Sequence, residues 1–538
     1  MGLDYAKTIE KWDVLEATIS GPNEGNPFCD QWIKGTFCCK NEKKTVDGFY
    51  DGDGAYKVRF MPSFTDKYTF EIEASFDINA GEELPNEEAL EHKRGIADGG
   101  KNAEKCAVRN MLTGSFTVTP PSADNHGPVR VAGTYYLAYE DGTPYHCIGT
   151  TCYVWNLQNE ELQKQTLKTL EENAFNKIRF CIFPKHYDYN LHEPITYPYE
   201  GTPCDSSVLN ENNFAEYNGC APGNDWDFTR FNPAHFQHIE KCIQALMNLG
   251  IEADLIVMHP YDRWGFSMMK AEDDNRYWKY VLARFSAYRN VWWSLANEYD
   301  LMHEKTLSDW ERYAGIICEK DPYHHLRSIH NCKAYYDYNL PWITHCSIQR
   351  TETYRSSELV NEWREKYHKP VILDEICYEG NIQFGWGNIS GEEMTRRFWE
   401  AFCRGGYPGH GETYLSPDRI LWWSHGGVLH GTSPDRIRFL AKIMEETPGL
   451  GVEPMPCKWD EVACRAAGFP ARKDYFIYYY SFMRPGFRDF YFDDTTEYQV
   501  EIIDTWEMTV TDGGIHKGKF RVKLPGKEYM AVRLQIAK

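Results

Sequence analysis

The sequence predicts a (β/α)8 barrel held between two small β-sandwiches, and three observations carry that reading. Apolar and polar residues alternate with a period of two near both ends of the chain. Between about residues 130 and 445, compact apolar runs alternate with segments of helical periodicity. Pro- and Gly-rich stretches, PPSADNHGP at 120–128 and PGLGVEPMP at 448–456, separate these regimes. The expected domains are an N-terminal β-sandwich over 1–122, a catalytic barrel over 128–446 and a C-terminal β-sandwich over 447–538. A length of 538 residues fits three or four domains of roughly 150 residues.

The N-terminal strands come first. In YTFEIEASF, Tyr68, Phe70, Ile72, Ala74 and Phe76 alternate with Thr69, Glu71, Glu73 and Ser75. Tyr56, Val58 and Phe60 alternate with Lys57 and Arg59. A period of two marks strands with one buried face. DGDG at 51–54 is a turn signal, and the charged stretch 81–105 is expected to be a long loop.

The middle of the chain follows another grammar. Phe236, Ile239, Ile243 and Leu246 recur at helical spacing, and Gly250 ends the helix. The run ADLIVMHP follows at once. Trp278, Val281, Leu282 and Phe285 repeat the helical pattern before VWWSLANEYD. Short apolar strands alternating with amphipathic helices indicate parallel βα units. Eight strands are expected near residues 146, 177, 252, 291, 327, 342, 370 and 407. In the last segment Phe520, Val522 and Leu524, then Met530, Val532, Leu534 and Ile536, restore the period of two.

Composition narrows the function. Lys and Arg number 58 and Asp and Glu 79, a net charge of −21, which repels nucleic acid and anionic lipid. Aromatic residues reach 15%, with 17 Trp and 36 Tyr, which suggests stacking surfaces such as sugars use. No apolar run has the 18 or so residues a membrane span needs. The opening MGLDYAKTIEKWDVLE lacks a basic and then apolar leader, so a cytoplasmic protein is expected. The 17 cysteines form no CxxC pair, which argues for reduced thiols rather than a zinc ribbon or disulfide framework. There is no GxSxG, HExxH, Walker A or GxGxxG, and DGDGAY lacks the other ligands of a calcium loop.

A barrel enzyme works at the carboxyl ends of its strands. The fourth strand ends in Asn297-Glu298 and the seventh in Asp374-Glu375. Two carboxylates across one barrel mouth can flank a glycosidic bond, one protonating the leaving oxygen and the other attacking the anomeric carbon. Asn-Glu by itself says little, because it also occurs at 23, 41, 86, 159, 210 and 361. Only the copy at 297 directly follows a compact apolar strand.

WSLANEYD (293–300) resembles the acid/base strand of retaining β-glycosidases of the (β/α)8 clan with catalytic Glu on strands four and seven. PVILDEICYEG (370–380) resembles the nucleophile strand, especially in the apiosidase-like branch. KWDVLEATISGPNEGNPF (11–28) and GFYDGDGAYKVRFMP (48–62) resemble the sandwich that commonly precedes such barrels in bacterial proteins. The resemblance implies that Glu298 is the acid/base, Glu375 the nucleophile and Asn297 a partner of the sugar 2-OH. A raised pKa is expected at Glu298, from repulsion by Glu375. His259, Tyr261, Trp155, His186, His345 and His410, with Tyr153, Tyr187, Asp262 and Glu412, are further candidates for sugar hydroxyls. Trp386 and Trp422, with Trp264 and Trp423, are candidates for stacking on a sugar face.

The expected function is a retaining glycoside hydrolase that trims terminal β-linked sugars of plant-type oligosaccharides, without cofactor or metal. Its partner is an oligosaccharide or glycoside, with no nucleic acid and no membrane. The sugar and the oligomeric state stay open. Ile376 stands where the apiosidase branch leads one to expect a Gly or Pro neighbourhood. The alternatives are a non-catalytic carbohydrate-binding protein on the same scaffold, and a transglycosidase.

Overall fold

The computed structural model describes residues 3–78, 110–350 and 352–537. The charged stretch expected as a loop over 81–105 lies outside the described residues.

The N-terminal strands form two antiparallel-rich sheets. One holds Asp4–Tyr5, Leu15–Ser20, Ala55–Phe60 and Phe49–Tyr50. The other holds Thr8–Glu10, Asn110–Thr119, Lys67–Ala74, Ile33–Cys38 and Lys43–Asp47. Along Lys67–Ala74, Tyr68, Phe70 and Ile72 turn inward while Thr69 and Glu71 face out. Phe37 of one sheet stacks on Phe60 of the other, centroids 4.2 Å apart. Each such fully buried side chain contributes about 1.5–3 kcal/mol.

All eight expected barrel strands form. They are β1 (Gly149–Thr151), β2 (Lys177–Cys181), β3 (Glu252–Met258), β4 (Val291–Ala296), β5 (Arg327–Ser328), β6 (Cys346–Gln349), β7 (Val371–Glu375) and β8 (Tyr407–His410). They lie in one parallel sheet in the order β5-β4-β3-β2-β1-β8-β7-β6. A parallel bridge from His330 to Ser347 joins the two free edges and all but closes the barrel. Every residue of β3 and β4 is buried, as befits strands covered on both faces.

Among the described residues, seven helices of eight residues or more wrap the barrel: α1 (Glu160–Glu171), α2 (Pro233–Asn248), α3 (Ala271–Phe285), α4 (Leu307–Lys320), α5 (Val360–Tyr367), α6 (Gly391–Cys403) and α7 (Ser433–Glu445). None of the described residues between β5 and β6 is helical. The start of α2 follows from its sequence. Asn232 caps the Ala234 amide, and Pro233 loses no hydrogen bond in the first turn. Phe236, Ile239, Ile243 and Leu246 are its buried stripe.

The barrel interior is charged near its centre. Lys177 Nζ donates to Asp254 Oδ2 and Asp374 Oδ1, each at 2.7 Å, and Ser347 donates to the other oxygen of Asp374. Arg179 lies alongside, 3.6 Å from Asp254. Against the penalty of burial, Lys177 and Arg179 hold the Asp374 carboxyl well below its usual range.

The C-terminal region is a six-stranded antiparallel sheet and a two-stranded antiparallel sheet, Phe487–Tyr491 with Lys519–Lys523, between which the chain contributes two strands to the larger sheet. Met530–Ile536 lies inside the larger sheet, between Tyr475–Tyr479 and Tyr498–Asp504. Arg59 of the first sandwich grips Glu240 of α2, with Nη2 to Oε2 at 2.9 Å. Ser481 of the last domain donates to Glu400 of α6 at 2.8 Å. Among the described residues no helix is long and apolar enough to cross a membrane, and every cysteine is a free thiol.

Candidate active site

Glu298 follows the end of β4, and Glu375 is the last residue of β7. Glu298 has a left-handed backbone, φ 51°, a conformation that costs energy in a residue with a side chain. Glu298 is buried and Glu375 is largely so. The Glu298 residue is 7% exposed and the Glu375 side chain 12%.

Each carboxylate is held by named donors. Glu298 Oε1 accepts from Gln349 Nε2 at 2.6 Å. Glu298 Oε2 accepts from the Tyr261 hydroxyl and from Asn297 Nδ2, the latter at 3.2 Å. Glu375 Oε1 is hydrogen-bonded to the Tyr153 hydroxyl and stands 3.8 Å from Arg179 Nη1. Asn297 Oδ1 accepts from Arg179 Nη1 at 2.8 Å and lies 3.1 Å from the Tyr153 hydroxyl. Asn297 therefore links the surroundings of both glutamates. Gln349 does so by another route, since it is paired with Glu375 across β6 and β7.

The electrostatics follow from this proximity. Burial first, and then the Glu298 charge, push the Glu375 pKa up to about 7, against the pull of Arg179 and Tyr153. Tyr153 has one hydroxyl proton and two acceptors within reach.

An aromatic wall borders the pair. Trp423 meets Tyr153 edge-to-face at 5.6 Å and Trp386 at 5.2 Å. Tyr187 meets Tyr261 at 5.2 Å and Trp423 at 5.8 Å. The Lys185 ammonium lies 3.6 Å from the Tyr153 ring centre, 4.3 Å from Trp423 and 4.5 Å from Tyr261. Burial lowers its pKa to about 8, while Glu298 and Glu375 oppose that shift.

The structure gathers some of the expected residues here. Asn297, Tyr261, Tyr153, Tyr187, Trp386 and Trp423 all belong to the two glutamates or to the aromatic wall. Others sit elsewhere. His259 is buried beside Tyr261 and bonds the Phe183 carbonyl with Nε2 at 3.3 Å. His186 is buried between the Phe214 carbonyl, 2.9 Å away, and Arg263, where it supports the loop after β2. His345 precedes β6 at its amino end and packs edge-on against Trp292 near the barrel floor. Trp155 is fully buried against Phe180. Trp422 is also buried, its Nε1 donating to Thr150 Oγ1 at 2.8 Å. His410 is buried under Phe175, with Nδ1 3.2 Å from Thr150 Oγ1. Asp262 accepts from the backbone amides of Trp264, Gly265 and Ser267, so it shapes a turn. The sequence reading did not name Arg179, Lys185 or Gln349. Charged residues in the apolar run KIRFCIFPK were the available signal for the first two.

Comparison with known families then decides what this barrel is. The family described as "Apiosidase-like, catalytic domain" matches residues 132–436. The chain belongs to the apiosidase-like family. As a member it is a glycoside hydrolase with a carbohydrate substrate. On either side of the apiosidase-like domain, families described as domains of unknown function match residues 8–75 (DUF5060) and 459–535 (DUF5605). A candidate glycoside hydrolase from Bacteroides vulgatus ATCC 8482, solved by crystallography, is 36% identical to this apiosidase-like chain. The match covers 99% of this chain and 100% of that one, with a TM-score of 0.86. A glycoside hydrolase family 5 protein of the same organism is 16% identical over 77% of this chain and 93% of its own, TM-score 0.57. A further glycoside hydrolase is 14% identical over 77% and 97%, TM-score 0.58. These last two show the fold alone. No curated protein matches the chain.

Proposed function

We propose that this chain is a retaining exo-β-glycosidase, with Glu298 as the general acid/base and Glu375 as the nucleophile. The observation that carries the reading is that the carboxylates at the ends of β4 and β7 share one hydrogen-bonded neighbourhood: Asn297 bonds Glu298 and the Tyr153 hydroxyl, and Tyr153 bonds Glu375.

The steps follow from the surroundings of each group. Glu375 attacks the anomeric carbon while Glu298 gives its proton to the departing oxygen, which leaves as an alcohol. A water then loses a proton to Glu298 and attacks the same carbon, and Glu375 departs as carboxylate. The attacking form has the proton on Glu298 and the charge on Glu375. With Glu298 neutral its repulsion vanishes, and Arg179 and Tyr153 then favour an ionised Glu375. Asn297 Nδ2 has a second hydrogen for the sugar 2-OH, and Trp386 and Trp423 offer faces for stacking.

The exo mode rests on the loops. Gln383, after β7, bonds the Tyr189 hydroxyl and lies 3.4 Å from Asp188, both after β2. That bridge closes one side of the barrel mouth, which suits a terminal sugar better than a polymer lying across it. Terminal β-linked sugars of plant-type oligosaccharides are the proposed substrates.

The test is a panel of aryl β-xylosides, β-galactosides, β-glucosides, apiosides and arabinofuranosides, with NMR of the first-formed sugar from whichever is cleaved. The reading expects the β anomer first. An α anomer first would mean inversion and reject the assigned roles.

A further inference from the structure

Glu379, His410 and Glu412 form a second buried constellation. Glu379–Gly380 and Glu412–Thr413 make a two-stranded parallel ribbon, in which Glu379 stands directly opposite Glu412. His410 lies two residues before Glu412, so strand alternation sends both side chains to one face. All three are at most 1% exposed. One carboxylate oxygen from each Glu and one His410 ring nitrogen lie within 4.8 Å of one another.

The polar accounting does not close with protein atoms. Glu379 accepts from the amides of Thr432 and Ser433, at 2.7 and 3.0 Å, and from the Thr432 and Tyr414 hydroxyls. Glu412 accepts from the amides of His430 and Gly431, at 2.6 and 2.7 Å. Among the described residues neither carboxylate has a Lys or Arg partner. His410 Nδ1 is engaged with Thr150 Oγ1, and Nε2 is buried without any partner. A proton shared by the carboxylates would relieve their repulsion and still leave Nε2 orphaned. A cation relieves both.

We propose that Glu379, His410 and Glu412 hold a divalent transition-metal ion, of the zinc type, that staples the segment after β7 to β8 and to the turn entering α7. One imidazole and two carboxylates are ligands for Zn2+ or Mn2+ rather than for Ca2+ or Mg2+, which prefer oxygen alone. The surroundings fit that use. His410 Nδ1 lies 3.2 Å from Thr150 Oγ1, which accepts from Trp422 Nε1, and the tautomer with its proton on Nδ1 leaves Nε2 as the ligand atom. Phe175 stacks on the ring at 4.8 Å and fixes its plane. Gly431 admits both carboxylates, since a Cβ there would meet Glu379 Oε2 at 2.5 Å and Glu412 Oε2 at 2.6 Å. The ion is structural and takes no part in glycoside cleavage.

The test uses the full chain, stripped with a chelator and titrated with Zn2+ alone, read by calorimetry, metal content and Tm. The proposal expects one Zn2+ per chain, a higher Tm with Zn2+, and no competition from equimolar Ca2+ or Mg2+. His410→Ala should weaken binding at least tenfold. If that variant does not fold, Thr150→Ala removes the acceptor of Nδ1–H, and a loss of about 10- to 100-fold is expected. No Zn2+ bound at millimolar metal overturns the proposal. So does Zn2+ held as tightly by the folded variant as by the parent, because it would then sit on thiols or surface groups.

Discussion

Gln349 donates a 2.6 Å hydrogen bond to Glu298 Oε1 while its own backbone is paired with Glu375. One residue of β6 thus orients the carboxylate after β4 from beside the carboxylate that ends β7. Gln349→Ala should lower kcat/KM by about 10- to 100-fold, the worth of a hydrogen bond to a charged group at 1.5–3 kcal/mol. Steady-state kinetics on the best aryl glycoside check this, with circular dichroism to confirm the fold. An unchanged kcat/KM would remove Gln349 from the site.

Glu298→Ala should lower kcat/KM by roughly 10²- to 10⁴-fold for poor leaving groups and spare kcat/KM for those whose aglycone departs without a proton, while kcat of the latter falls because the water has lost its base. For those activated substrates added azide should restore kcat and give a β-glycosyl azide. A uniform loss across leaving groups would show that Glu298 is not the acid.

The pH profile carries a sign that can be worked out. Glu375 must be ionised to attack, and its pKa is raised to about 7. That value includes repulsion from a charged Glu298; in the attacking form Glu298 carries its proton, so the acid limb of kcat/KM should lie below about 7 and fall tenfold per unit beneath it. Glu298→Gln keeps that position uncharged, so its acid limb should stay where the parent's lies. A limb at or above 7, or one displaced in Glu298→Gln, would contradict this order of ionisation.

Tyr153→Phe removes the hydroxyl bonded to Glu375 and the 3.1 Å contact to Asn297. The loss should appear in kcat more than in KM, because the hydroxyl touches the nucleophile rather than the outer sugar. Equal kcat with raised KM would make Tyr153 a binding group only.

Inside the barrel, Asp374→Asn should destabilise by about 3–5 kcal/mol, measured by denaturant unfolding, since it breaks a buried pair with Lys177. The parent's Asp374 carboxyl is depressed in the fold, so its stabilisation is present above the unfolded pKa of about 3.9. It is lost as pH falls through the lower folded value. A loss under about 1 kcal/mol would mean that Asp254 alone suffices for Lys177.

Much of this architecture was legible because strands covered on both faces are largely apolar runs, and in β4 and β7 a polar pair follows the run. That pattern puts Asn297-Glu298 and Asp374-Glu375 at the carboxyl ends of their strands. The rest depended on which way a side chain faces where regular structure stops. Trp155 lies in a 3-10 turn just after β1, so strand alternation no longer applies, and Tyr153 faces Glu375 while Trp155 enters the core. Trp422 and Trp423 are adjacent in one short helical turn, which sends the first inward and the second to Tyr153. His345 falls in the run WITHCSI, which does not reveal that β6 begins only at Cys346. Lys177 and Arg179 interrupt an apolar strand, and their partners Asp254 and Asp374 are on other strands, so the sequence alone does not pair them.

The most direct measurement is the product of Glu375→Ala with an activated aryl β-glycoside and azide. The account predicts hydrolysis near background without azide, and with azide a rescued rate and an α-glycosyl azide, because the anion enters the space the carboxylate leaves. Hydrolysis at the parental rate, or a rescued product of β configuration, would contradict it.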